Sequence, residues 1–191
     1  MRMKRSLLLS MALLLFVMCV NAQTGETTHF AKDGLSFDYP ANWQLSDQST
    51  GQMQFIQLMR DGFAEIRIRV PREWLKSPAK EAEAKKLIQD EYVNAFFKNL
   101  EDAGLHPKRS DVTTQIAGGE ARGVRIRAIL DGDPGGMDSY ARVVSDRFVN
   151  LSALGSEKEM QRSAPLWDLI RNSLALEPPP VPKSSPKPGK P

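Results

Sequence analysis

Four segments with strand-like apolar alternation follow one another between positions 112 and 154, and their links are too short for anything but antiparallel pairing. The segments are 112–116, 121–130, 139–145 and 147–154. Parallel strands need a crossover of about a dozen residues or more, usually a helix. Here the links are turn signals: Gly118-Gly119, and the run from Asp131 through Gly132, Asp133, Pro134 and Gly135 to Gly136. Consecutive strands with short links predict an antiparallel meander.

Upstream, Asp33-Gly34 sits between Thr28-His29-Phe30 and the alternating Leu35-Ser36-Phe37-Asp38-Tyr39, which predicts a small hairpin that Pro40 ends. A second hairpin is expected across Asp61-Gly62. It joins residues 53–58 to 64–70, with Pro71 closing it. Ser77-Pro78 then opens a helix, the serine as cap and the proline at the first helical position. Ile88, Tyr92, Ala95, Phe96, Leu100 and Ala103 give that helix an apolar stripe, and Gly104 stops it. Such a helix should pack on the sheet. After the meander, Ser156 and Glu159 have the spacing of a capping box for a closing helix, with Leu166, Trp167, Ile170 and Leu174 facing inward and a break expected at Pro165.

Both ends differ in composition from this body. Arg2, Lys4 and Arg5 precede an apolar run over 7–20, and Val20-Asn21-Ala22 supplies a small residue before Gln23, the order of a cleavable secretory signal over 1–22. The run falls short of the ~20 residues that span a bilayer. No transmembrane span is therefore expected after cleavage. Cys19 raises lipidation, but Met18 stands where that processing wants a small residue. Residues 23–29 form a short N-terminal segment, 30–177 one domain, and 178–191 a tail in which half the residues are proline. The tail should be extended and without a core.

Removing the signal changes what composition implies. Cys19 is the single cysteine, so the mature chain would have no disulfide, thiolate or cysteine ligand and must rely on a core. The net charge of +3 comes from 26 basic and 23 acidic residues. Three basic residues belong to the signal and Lys183, Lys187 and Lys190 to the tail, so the body is slightly acidic. That argues against a nucleic-acid partner. Three lysines are worth at most about 1 kcal/mol each at an anionic surface, too little for the tail to anchor the protein alone.

Motifs for chemistry are sparse. His29 and His106 are the only histidines, and no nucleophile elbow, phosphate loop or dinucleotide-binding glycine pattern occurs, so no metal, cofactor or catalytic residue is expected. Asp131-Gly132-Asp133 could suggest a cation loop, but it lacks the later glutamate of such loops and reads as a turn. More informative is a doubled pattern, Ile66-Arg67-Ile68-Arg69 and Val124-Arg125-Ile126-Arg127. On strands, the four apolar residues point to a core and Arg67, Arg69, Arg125 and Arg127 point away. Were the two strands close, these arginines would form a basic strip for an anionic partner. Otherwise they pair with local acids such as Glu65 and Glu120.

The segment Asp33-Gly34-Leu35-Ser36-Phe37-Asp38-Tyr39-Pro40-Ala41-Asn42-Trp43 resembles the opening of the PsbP-like proteins, where a glycine precedes a strand ending in an aromatic-Pro-x-x-Trp turn. The end is similar too, with Phe148-Val149-Asn150-Leu151-Ser152-Ala153 followed by a helix through Pro165, Ile170 and Ser173-Leu174. The resemblance implies an α+β fold, an antiparallel sheet with helices on both faces, an αβα sandwich. The group includes an extrinsic subunit of photosystem II, a Ran-binding nuclear transport factor and exported DcrB-like bacterial proteins. It thus implies binding or accessory work rather than catalysis. Trp43 itself reads as a plug over the end of the core.

The expectation is therefore an exported, non-enzymatic binding or accessory protein of a bacterial envelope, periplasmic or secreted. Its partner would be an envelope protein or an anionic surface. A small hydrolase with dispersed carboxylates and a binder of cell-wall or surface polymer are the alternatives.

Overall fold

The computed structural model describes residues 26–177. The expected signal over 1–22, with Cys19, and the expected tail over 178–191 lie outside the described residues. Ten strands and two helical stretches make up the described residues. They are β1 (Thr27–Lys32), β2 (Leu35–Pro40), β3 (Gln44–Asp47), β4 (Met53–Met59), β5 (Glu65–Pro71), β6 (Lys108–Ile116), β7 (Gly119–Leu130), β8 (Asp133–Val144), β9 (Arg147–Ser156) and β10 (Ala175–Leu176). Between β5 and β6 run α1 (Pro78–Lys85), a π-helical turn (Lys86–Asp90) and α2 (Glu91–Asp102); α3 (Glu157–Ser173) follows β9.

The main sheet has seven strands in the order β3-β4-β5-β9-β8-β7-β6, all pairs antiparallel. The expected meander is its right half, β6 to β9, and the expected hairpin its left half. Between them the helices carry the chain from β5 to the far edge, so the meander returns to dock β9 against β5. A second sheet, β1-β2-β10, covers part of one face.

Four links are two-residue turns with both residues at positive φ: Asp33-Gly34, Ala117-Gly118, Asp131-Gly132 and Ser145-Asp146. That conformation matches the twist of the flanking strands. The expected loop over 131–136 is a correction. Only Asp131 and Gly132 turn, while Asp133, Pro134, Gly135 and Gly136 belong to β8. Glycine is needed inside that strand, since a Cβ on Gly136 would lie 2.1 Å from the Ile126 carbonyl oxygen. Among the described residues no three His, Cys, Asp or Glu side chains gather as a metal site.

One face of the sheet carries the main core. Ile56, Leu58, Ile66, Ile68, Val149 and Leu151 meet Leu35 and Phe37 of β2 and Leu166, Ile170 and Leu174 from α3 and its end. Trp43 is buried in this cluster, edge-on to Phe63 with ring centroids 5.3 Å apart. Arg147 ties the small sheet to the large one. It is buried and donates to the Asp33 and Pro71 carbonyls and to the Gln54 side-chain oxygen, and burial, with Arg72 nearby, pulls its pKa down. The opposite face has a smaller core, where Val93 and Leu100 of α2 pack on Val124, Ile126, Ala128 and Met137. Helices thus lie on both faces, an α+β fold of the expected class.

Two helical expectations need correction. Pro165 does not break α3, which runs unbroken through it. The capping box at Ser156 and Glu159 is formed, and Gln161, whose carbonyl loses its partner to the proline, is exposed to water. Along the other helix the buried positions are Gln89, Val93 and Leu100, with Tyr92, Phe96 and Phe97 half-buried and Ala95 and Ala103 exposed. The π turn, with its wider winding, shifts the inward face from the stripe the sequence suggests. Ser77 caps α1 as expected. No described helix is long and apolar enough to cross a membrane.

Candidate functional site

The four patterned arginines do not share a surface. β5 and β7 are separated by β9 and β8, three strand spacings of about 4.8 Å each. Register also puts them on opposite faces. Arg125 stands across from Asp138, Asp138 from Ala153, and Ala153 from Ile66, so Arg125 projects on the face of Ile66 and away from Arg67. The expectation of one basic strip fails on this geometry. Alternation places each arginine opposite its own apolar neighbours, yet it cannot say which face of a distant strand is which.

On the α3 face, Arg125 and Arg127 close on one carboxylate. Asp138 accepts from Arg125 Nη2 at 2.7 Å and lies 2.7 Å from Arg127 Nη1. Arg127 also donates to the Ile126 and Met137 carbonyls. Burial alone would raise the Asp138 pKa, but the Arg125 bonds and the Arg127 charge outweigh it and hold the carboxyl below its usual range. Arg125 is raised in turn by its bond to Asp138. This knot staples β7 to β8 and commits both guanidinium groups to one carboxylate, with a single net positive charge.

On the α2 face the two arginines differ. Arg67 Nε donates to Glu65 at 2.6 Å and its Nη1 to the Tyr92 hydroxyl at 2.7 Å. Burial opposes its charge, and the bonds to Glu65 and Tyr92 raise its pKa all the same. Among the described residues no carboxylate lies within ion-pair distance of Arg69; Glu65, bound to Arg67, is near enough to act on it by charge alone. The Arg69 guanidinium lies 3.5 Å from the Tyr92 ring centroid and 5.2 Å from that of Phe55, held between two aromatic rings. Burial is the main reason its pKa is lowered.

Arg69 opens into a groove of about 280 Å³. Met53 and Phe55 form one wall, Leu87 and Ile88 the other, and Gln48 and Thr50 the rim. Local hydrogen bonds build the first side: Thr50 Oγ1 accepts from the Met53 amide, Ser49 Oγ from the Phe55 amide, and the Thr50 carbonyl from Arg72. The π turn builds the second. It leaves Leu87 52% exposed at the mouth and turns Gln89 inward, where its amide lies 3.4 Å from the Arg122 and Ser139 carbonyls. Beside Arg67 and Arg69 in the ladder lie Ser152 and Asn150, both fully buried, and neither Ser152 Oγ nor Asn150 Oδ1 has a hydrogen-bond partner among the described residues.

Three larger clefts exist, one of them about 360 Å³ beside Arg60, Asp61 and Glu65. Another, of about 710 Å³, lies between the π turn and β6-β7, where Lys85 is bound by Asp90 and Arg109 by Asn94. The third, about 790 Å³, lies at the β7-β8 tip beside His106 and the exposed Ile129. His29 is 2.6 Å from Asp38 on the small sheet and lines none of these clefts. The groove at Arg69 differs from these in joining a cation to apolar walls with no carboxylate in the lining, whereas each of the larger clefts is lined by at least one. Its lining holds no carboxylate, imidazole or thiol, so the chemistry it offers is recognition of an anion with an apolar body. The sequence pointed to Arg69 through its alternation, but Tyr92, Leu87 and the π turn carried no signal of a site.

No family model matches the chain, and no curated protein matches it. It is similar to the solution structure of the cyanobacterial PsbP, CyanoP, from Synechocystis sp. PCC 6803, with a TM-score of 0.49 and 11% identity over 83% of this chain and 97% of that one. A crystal structure of PA94, a protein of unknown function from Pseudomonas aeruginosa, overlays with a TM-score of 0.39 and 18% identity, covering 82% of this chain and 100% of that one. The first is a member of the group that the segment from Asp33 to Trp43 resembles. Overlays this loose transfer no residue role, and the fold class rests on the sheet order and the helices on its two faces.

Proposed function

We propose that this chain is an exported accessory protein of a bacterial envelope that recognises a partner through the Arg69 groove. The observation that carries the reading is Arg69 itself, a cation stacked on Tyr92 and Phe55 with no carboxylate at ion-pair distance among the described residues, in an open apolar groove whose lining holds no acid. A cation left unpaired in such a setting is costly unless something anionic uses it. The leader over 1–22 supports export. A hydrolase built on dispersed carboxylates is less favoured. Asp138, the carboxylate most enclosed by the fold, is held ionised by two arginines, which makes it a poor general acid and a weak base.

The test is a photoreactive residue placed at Leu87 in the full chain, expressed in its own cells and irradiated before fractionation. One discrete adduct in the envelope fraction is expected. It should be lost on Arg69→Gln with an unchanged melting temperature, and absent when the probe sits at Lys98, on the exposed side of α2. Equal adducts from Leu87 and Lys98, or a product confined to the cytoplasm, would sink the reading.

A further inference from the structure

We infer that the groove takes the free C-terminus of a partner polypeptide, the terminal carboxylate on Arg69 and an apolar last side chain between Phe55 and Leu87. The inference rests on the reading of this groove as the recognition surface and adds the chemistry of what enters it.

Four features select that ligand. With Tyr92 and Phe55 against it, the guanidinium keeps its edge N–H groups for a planar acceptor, and a carboxylate matches that fork with two parallel bonds. The walls are hydrocarbon, which disfavours a phosphate or sulfate that would have to shed a larger hydration shell. The volume, about 280 Å³, admits roughly one amino-acid residue, so a longer chain must leave through the open mouth. Finally, no wall residue is acidic, so a free amino acid would bring an ammonium with nothing to meet it. A peptide-bonded nitrogen carries no charge and needs only an acceptor. Gln48 can supply one, since its amide nitrogen is spent on Gln57 and Ser46 while its amide oxygen is left over.

The probes are N-acetyl-leucine, N-acetyl-leucinamide, octanoate and inorganic phosphate, titrated into the full chain at constant ionic strength while amide and arginine Nε–H resonances are followed. N-acetyl-leucine should shift Leu87, Ile88 and the Arg69 side chain with a Kd of about 1–10 mM, as fits a ligand of about a dozen heavy atoms. The carboxamide should bind at least about tenfold weaker, the loss of one charge-assisted pair. Phosphate should shift none of these resonances. Equal binding of acid and amide would overturn carboxylate recognition, and tighter binding of octanoate would make the ligand a small aliphatic acid rather than a chain end. The cross-link at Leu87 separates the two levels. A persistent adduct with no response to N-acetyl-leucine leaves the groove as the partner surface and removes the C-terminus as its ligand, whereas loss of both removes the surface itself.

Discussion

Tyr92 holds Arg67 and Arg69 in two different ways, accepting a hydrogen bond from Arg67 at its hydroxyl, 2.7 Å away, and presenting its ring centroid 3.5 Å from the guanidinium of Arg69. One side chain of α2 thereby fixes both arginines of β5. Its two contacts can be removed separately. Tyr92→Phe should lower stability by about 1 kcal/mol, the worth of one hydrogen bond to a charged group at a half-buried site. Tyr92→Leu should cost about 1 kcal/mol more through loss of the cation–π contact. Urea denaturation of both variants separates the terms, and equal stabilities would mean that the stacking contributes nothing.

Asp138 gives a pH signature. Its folded pKa is depressed by the Arg125 bonds and the Arg127 charge against the opposing effect of burial. A depressed carboxyl contributes stability that is fully present above its unfolded value, about 3.9, and is lost as pH falls through the lower folded value. Asp138→Asn should therefore be less stable than the parent by about 2 kcal/mol at pH 7, discounted from a fully buried pair because Arg125 is partly exposed. The gap should hold from pH 6 to 8 and narrow below about pH 4. Chemical denaturation at a series of pH values measures it, and a gap independent of pH down to 2 would contradict the assignment.

Gly136 is a backbone requirement inside β8. At φ 149° it adopts a conformation that L side chains rarely occupy, and a Cβ there would strike the Ile126 carbonyl oxygen. Gly136→Ala should destabilise by about 2–4 kcal/mol, in the range of strain at a special backbone position. Gly51→Ala is the control, because a Cβ there meets nothing within 4 Å. Thermal melting of the pair checks this, and two similar melting temperatures would refute the strain.

Pro165 removes a hydrogen bond from the middle of α3 without breaking it. Pro165→Ala restores the donor and should stabilise the chain by about 1 kcal/mol, less than the ~3 kcal/mol intrinsic difference because the structure already accommodates the ring. The unfolded chain gains freedom at the same time, which offsets part of the benefit. A rise in the denaturation midpoint is expected, and a fall would show that the ring packs usefully where it is.

Local rules wrote much of this fold into the sequence. Asp33-Gly34 and the Ser156/Glu159 capping box appear where their residue types demand them, because each depends on neighbours within a few positions. Ser145-Asp146 turns just as tightly without a glycine, and the alternation alone separates its strands as 139–145 and 147–154. The small edge strands β3 and β10 are four and two residues long and have no periodicity to detect. The π turn is hidden for another reason. Its winding is set by what Gln89 and Val93 meet on the sheet, and that is decided by strands β7 and β8, far along the chain. The site suffered most. Arg67, Arg69, Arg125 and Arg127 look equivalent in sequence, and only register through β9 and β8 shows that Arg125 and Arg127 meet Asp138 while Arg69, among the described residues, makes no direct ion pair.

The docking of β9 on β5 also sets an order on assembly. Arg69 pairs with Asn150 and Glu65 with Leu154, contacts that close a very long loop, whereas β6 to β9 pair through neighbours in sequence. Long loops cost entropy before they return any contact energy, so the meander can nucleate early and the β5-β9 seam is zipped late. Until then β5 and β9 each present an unpaired edge lined by Ile66, Ile68 and Leu151, and a newly made chain is most prone to stick to its neighbours during that interval.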